Sequence, residues 1–356
     1  MNMIKNSRPV YGPQLRLSEE IDTTKYRQTG EDFYSKVVRI ADALKDGSEH
    51  FEQFKDILRH MRFLPAGRVQ NAMGAARQTT AYNCFVSGVI EDSMDSIMQR
   101  ATEAAETMRR GGGIGYDFSR IRPRGDLIKS LESRSSGPVS FMGIFDSICQ
   151  TIASSGHRRG AQMGVLRIDH PDIETFISAK QNSDKLTGFN ISVGVTDEFM
   201  QHLKAKTPFS LKFEGRVYKE VDPVALWDAI MRSTWDYAEP GVLFIDRMNE
   251  MNNLNYIETI SASNPCAEQP LPPFGACLLG SFNLVKYVDM VKQKFDWDQF
   301  KDDIRVVVRA MDNVVDRTIY PLEKQQAEAK SKRRMGLGIT GLANAGEMLG
   351  KPYASD

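Results

Sequence analysis

The 356 residues carry 46 basic and 46 acidic side chains and are 41% hydrophobic, a globular composition without an electrostatic footprint for nucleic acid or an anionic membrane. No apolar run approaches the ~18 residues that a spanning helix needs, and the N-terminus lacks the apolar stretch of a secretory signal. Four cysteines in so long a chain build no disulfide framework, which points to a reducing cytoplasm where each cysteine is either quiet core or chemistry.

Residues 1 to 62 read as a charged helical region, with Phe33, Val37, Ile40 and Leu44 at helical spacing and a second short helix from Phe51 to Met61. Phe63 to Gly67 breaks that pattern and opens the main domain, read as 63 to 356. From there short apolar strands alternate with amphipathic helices, the pattern of α/β architecture. Cys84 begins a strand running to Ile90. Asp92-Ser93 caps a helix whose apolar positions are Met94, Ile97, Met98, Ala101, Ala104, Ala105 and Met108, and Gly111-Gly112-Gly113 stop it. Met163 to Ile168 reads as a buried strand, followed by a helix opened at Asp169-His170-Pro171. Phe189 to Val195 is another strand, with Thr196 or Asp197 capping the helix after it. Phe209 to Phe213 alternates like half of a hairpin turning at Glu214-Gly215. Asp222-Pro223 starts a helix through Trp227, Ile230 and Met231, and Pro240-Gly241 leads into a strand from Val242 to Ile245. Phe300, Ile304, Val307, Val308, Met311 and Val315 mark a long helix, and the glycine-rich stretch from Arg334 to Leu342 precedes a short one.

The cysteines differ in setting. Cys149 lies among Phe141, Ile144, Phe145, Ile148 and Ile152 on a helix's apolar face, where a thiol acts as a small hydrophobe. Cys84, taken alone, reads as a core strand residue. Cys266 and Cys277 flank Pro270, Pro272 and Pro273, which forbid a regular helix or interior strand between them, so the second thiol can fold back toward the first. Asn264, Cys266 and Glu268 alternate, so an extended segment would turn all three side chains to one face, a costly arrangement for a core. A metal site lacks a second sulfur pair or histidine at zinc-like spacing, and a thiol protease lacks a positioned histidine. Gly111 to Gly115 follows a helix rather than a strand, so it fails the context test for a dinucleotide fingerprint. Asp92-Ser93 reads as a helix cap or as a helix N-terminus suited to an anionic ligand.

In order along the chain, Asn83-Cys84, the Gly111 to Asp117 run, Ser136 to Met142, Gly156 to Ala161, and Asn264-Pro265-Cys266-Ala267-Glu268 with Cys277 resemble the catalytic subunit of ribonucleotide reductases. The resemblance covers about residues 60 to 350, and the Asn264 to Pro273 and Gly137 to Met142 runs are most similar to the adenosylcobalamin-dependent class. It implies an α/β fold, the first half of a ten-stranded barrel behind a short helical N-terminal region. It implies a thiyl radical at Cys266, a general base at Glu268, an orienting amide at Asn264, and a Cys84 and Cys277 pair that supplies two electrons. Asn83, Cys84 and Gly113 then meet the substrate. Asp92, Ser93, Met94, Arg122 and Arg158 hold a dNTP or ATP effector.

Adenosylcobalamin is the implied cofactor; the alternative is a radical from a separate metal-containing subunit, and neither needs a metal site on this chain. Implied partners are a complementary C-terminal half with the substrate-phosphate loop, a second copy meeting at the effector helices, and a thioredoxin- or glutaredoxin-type reductant. Nucleic acid and membrane are not expected. The first 60 residues are too few for the family's ATP-binding cone. A non-catalytic nucleotide-binding or assembly fragment is the competing expectation, although such a fragment has no need of three cysteines with Asn264 and Glu268.

Overall fold

Parallel strands covered on both faces need near-continuous apolar runs, and Phe189–Val195 is such a run, buried at every position except Asn190. In a computed structural model that describes residues 11–128, 131–152, 161–181 and 185–355, it is a central strand of a six-stranded sheet. The chain divides into two compact units, one of Cys84–Ala276 with Pro321–Glu328, the other of Met1–Asn83, Cys277–Tyr320 and Ala329–Asp356.

In the first of these, the strands run in the order Gly241–Phe244, Phe189–Val195, Gln162–Arg167, Gly113–Asp117 and Cys84–Val86, each parallel to its neighbour. Val86 then exchanges both backbone hydrogen bonds with Phe274 and Gly275, where the sixth strand begins. The register sets Cys84 opposite Gly113 and Val86 opposite Gly115. The crossovers are helical: Met94–Arg109, Pro138–Thr151, Ile173–Ile177, and Asp197–Ala205 with Pro223–Tyr237 around a Phe209–Phe213/Arg216–Val221 hairpin. This is the half-barrel α/β architecture expected from the sequence. Tyr116, Phe118 and Phe145 meet edge-on or tilted at its centre with centroids 4.8–5.6 Å apart, and Ile97, Ala101, Ala104 and Met108 bury the inner stripe of the Met94–Arg109 helix against the core. Cys149 sits in that core, and burial with the nearby Asp146 pushes its thiol pKa up.

Caps form where they were expected. Ser93 Oγ accepts from Ser96 N–H, Thr196 from Phe199, and Asp222 from Val224 ahead of Pro223 at the first turn. Several expectations shift. The second N-terminal helix is Ser48–Arg59, because Gly47 in extended conformation starts it earlier than Phe51. The strand from Cys84 ends at Val86, not Ile90, and that from Val242 is Gly241–Phe244, with Ile245 opening a helix. The Asp169-His170-Pro171 helix begins only at Ile173. Met94, Met98, Met231 and Val308, read as apolar helix positions, are exposed, since a packed helix buries one stripe and these lie outside it.

The second unit packs the helices Phe33–Leu44 and Ser48–Arg59 against the long Trp297–Arg317 helix. Buried Asp303 on that helix accepts from Arg62 Nε at 2.6 Å, Tyr287 OH at 2.8 Å and Gln299 Nε2 at 2.8 Å. Phe63–Pro65 pairs antiparallel with Leu279–Asn283, which pairs parallel with Gly336–Thr340. The glycine-rich stretch is thus a strand, followed by the Leu342–Met348 helix. Among the described residues no helix is long and apolar enough to cross a membrane.

Candidate active site

Ala262–Ser263 pairs antiparallel with Pro270–Leu271, so residues 264 to 269 are a hairpin loop. Pro265 takes the second position of a turn closed by Ala267 N–H donating to Asn264 O at 3.0 Å, and Ala267 follows with φ +68°. The extended segment expected from alternation is therefore absent. Asn264 is the reason: its Oδ1 accepts from Gln269 N–H at 2.9 Å, a local closure that outcompetes extension. The convergence survives by another route. Asn264 Nδ2 donates to Glu268 Oε2 at 2.6 Å, tying a fully buried amide to an exposed carboxylate across the turn. Cys266 lies between them, exposed.

Glycines form the floor beneath this turn. A Cβ on Gly115 would fall 1.7 Å from Ser263 O, and one on Gly113 would fall 2.9 Å from Pro265 Cγ and 3.5 Å from Cys84 Sγ. Gly113 is thus where the Cys266 turn and the buried Cys84 thiol come together. Within the Gly111 to Gly115 run, Gly113 and Gly115 serve this close approach of two chain segments. Asn190, which sequence reasoning missed, fastens the turn from a neighbouring strand by donating Nδ2 to Pro265 O at 2.7 Å. Its signal was an asparagine inside an apolar strand. Asp117 ends the glycine strand; burial raises its carboxyl pKa against the lowering effect of hydrogen bonds from Ser119 and Ser261. In the other unit Cys277 is fully buried and its carbonyl accepts from Asn83 N–H at 3.3 Å.

The effector candidates form a second cluster. Asp92 Oδ1 accepts from Arg122 N–H at 3.1 Å and Oδ2 from Arg122 Nε at 2.5 Å, while Ser93 is engaged as the helix cap and Met94 is exposed. Beside Asp92 opens a cleft of about 630 Å³ lined also by Ser119, Arg120, Arg167, His170 and Lys212. Arg158, with the Gly156 to Gly160 run, lies outside the described residues. Among the described residues no three His, Cys, Asp or Glu side chains are grouped to hold a metal ion.

The model of the family "Ribonucleotide reductase, barrel domain" matches residues 82–356. The chain belongs to the ribonucleotide reductase family. Among similar proteins, the vitamin B12-dependent ribonucleoside-diphosphate reductase of Thermoplasma acidophilum is 37% identical over 310 residues, covering 86% of this chain and 40% of that protein. Its counterpart from Mycobacterium tuberculosis is 39% identical over 308 residues, covering 86% and 44%. The vitamin B12-dependent ribonucleotide reductase of Streptomyces clavuligerus is 32% identical over 364 residues, covering 93% and 37%. This chain thus spans about two fifths of the length of these relatives.

Proposed function

We propose that this chain carries the radical and redox cysteines of an adenosylcobalamin-dependent ribonucleotide reductase, making 2′-deoxyribonucleotides for DNA synthesis in the cytoplasm. Ribonucleoside diphosphates are the substrate class in the names of two relatives. The observation that carries the reading is the Asn264 to Glu268 hydrogen bond across a turn whose exposed residue is Cys266.

The chemistry follows from the residues. A thiyl radical at Cys266 takes the 3′ hydrogen of the ribose and later returns it. Glu268 accepts the 3′ hydroxyl proton as general base, held in place by the Asn264 amide. The 2′ hydroxyl leaves as water, while Cys84 and Cys277 give up two electrons and two protons and end as a disulfide. The balance is ribonucleotide plus two thiols to deoxyribonucleotide, disulfide and water. Exchange with a thioredoxin- or glutaredoxin-type dithiol restores the pair. An exposed Cys266 thiol fits a radical source that docks from outside the turn, and adenosylcobalamin when bound supplies that radical equivalent. The relatives' names favour it over a separate metal-containing subunit.

The substrate phosphates are held by the remaining barrel strands, on this polypeptide or a second one. A dNTP or ATP effector sits at Asp92, Ser93, Met94, Arg122 and Arg158, and a second copy docks along the helix that presents Met94 and Met98. The test is a multiple-turnover assay on the complete enzyme. Cys266→Ser abolishes turnover with nucleotide binding nearly intact, and Cys149→Ala retains activity. Substantial turnover by the serine variant would end the radical assignment.

A further inference from the structure

We infer that Phe274 is a positioning residue for the thiol-bearing loop, its ring held against Arg100 and Lys324; the inference rests on the function proposed above. Gly275 N–H donates to Pro272 O at 2.9 Å, closing a turn with Pro273 second and Phe274 third. Phe274 has φ +65°, at a turn position where Gly or Asn is the usual occupant. A bulky side chain held in the left-handed region indicates that contacts elsewhere over-determine its place.

The Arg100 guanidinium lies 5.5 Å and the Lys324 ammonium 5.3 Å from the ring centroid. Arg100 is buried on the Met94–Arg109 helix, where its Nη1 forms an ion pair with Glu103 at 2.9 Å while its Nε has no hydrogen-bond partner among the described residues, so the ring is a second contact for a charge already paired. Gly88 makes room for the pair: a Cβ there would fall 2.0 Å from Arg100 Nη1 and 2.4 Å from Phe274 Cζ. On the other side of the turn, Phe274 N–H donates to Val86 O at 3.1 Å and Val86 N–H to Gly275 O at 2.8 Å, which ties the turn to the Cys84 strand. The ring therefore pins the segment between Cys266 and Cys277 at once to the Cys84 strand and to the helix that begins at the Asp92-Ser93 cap.

The experiment compares Phe274→Tyr, Phe274→Leu and Phe274→Gly in the complete enzyme. Two readouts are used: kcat and KM for a ribonucleoside diphosphate, and the rate at which iodoacetamide alkylates Cys266. Glycine relieves the positive φ, which offsets part of the stability lost with the ring, and a purely structural role predicts unchanged kinetics for the folded variant. The expected result is a kcat loss of about 10²-fold in the Leu and Gly variants with KM unchanged, as for a reacting group displaced by about 1 Å. Cys266 alkylation quickens in both, and the Tyr variant stays close to the parent. Parent-like kcat and alkylation in the Gly variant, or a Tyr variant as slow as Leu, would overturn the role of the ring. Should the parent enzyme reduce no ribonucleotide, the function proposed above fails, and the alkylation comparison alone decides the role of Phe274.

Discussion

The carbonyl oxygen of Ser263 lies 1.7 Å from the position that a Cβ on Gly115 would occupy. Neither atom belongs to a flexible side chain, so even one methyl group must move a sheet strand or the hairpin that carries Cys266.

Gly115→Ala should therefore destabilise the fold by about 3 kcal/mol or more, at or above the usual range for overpacking, and remove turnover. Gly143→Ala is the control: nothing lies within 4 Å of its Cβ position in the Pro138–Thr151 helix. There the exchange should stabilise by about 1 kcal/mol from helix propensity. Urea denaturation of both variants checks the contrast, and equal stability would mean the hairpin floats above its floor.

Asn264 and Glu268 share one hydrogen bond but should fail differently. Glu268→Gln keeps an acceptor for Asn264 Nδ2, so stability holds while turnover falls by about 10²- to 10⁴-fold with the lost general base. Asn264→Ala also strips the Gln269 N–H of its acceptor and should cost about 1–3 kcal/mol of stability as well as rate. Thermal melts run beside turnover assays separate the two.

Cys84 and Cys277 should form a disulfide when the complete enzyme turns over once without external reductant, which requires their α-carbons to come within about 5.5 Å of each other. Mass mapping of tryptic peptides reads this directly. A dominant link between Cys266 and Cys277 would show that the radical and redox roles are exchanged.

Acid stability should carry a signature of Asp46. Hydrogen bonds from Arg309 first, and then Asn313, hold its carboxyl pKa down to about 2. A depressed folded pKa contributes stability above the unfolded value near about 3.9 and loses it as pH falls toward 2. Asp46→Asn should accordingly be less stable than the parent at pH 5, with the difference vanishing by about pH 2. Denaturation across that range measures it; a constant difference would assign the effect to lost geometry rather than charge.

Much of the sheet was legible because burial on both faces writes itself as near-continuous apolar runs, as in Phe189–Val195, where Asn190 and Ser192 are the polar exceptions. Caps at Ser93, Thr196 and Asp222 were legible for a local reason, since the capping side chain and the N–H groups that donate to it are neighbours in sequence. The conformation of the thiol turn was not. Alternation of Asn264, Cys266 and Glu268 is common to a strand and to a tight loop, and nothing marks Ala267 for a positive φ that alanine seldom adopts. The approach of Ser263 to Gly115, and of Arg100 to Phe274, joins residues far apart in sequence, so neither leaves a local pattern. The exposed Met94 and Met98 show the opposite failure: apolar spacing was present, but the helix had room for only one buried stripe.

Along Gly113–Asp117 the side chains alternate, so Ile114 and Tyr116 fill the aromatic core while Gly113 and Gly115 present bare backbone to the Cys266 hairpin. The partition between the thiol turn and the densely packed interior is consequently a single peptide layer thick. No pliable side chain is interposed to absorb a displacement, and close-packed interiors transmit strain. A repacking around Tyr116 would thus be felt at the hairpin as a shift of peptide planes, and the fixed dipoles of those peptides contribute to the electric field on the floor side of the turn.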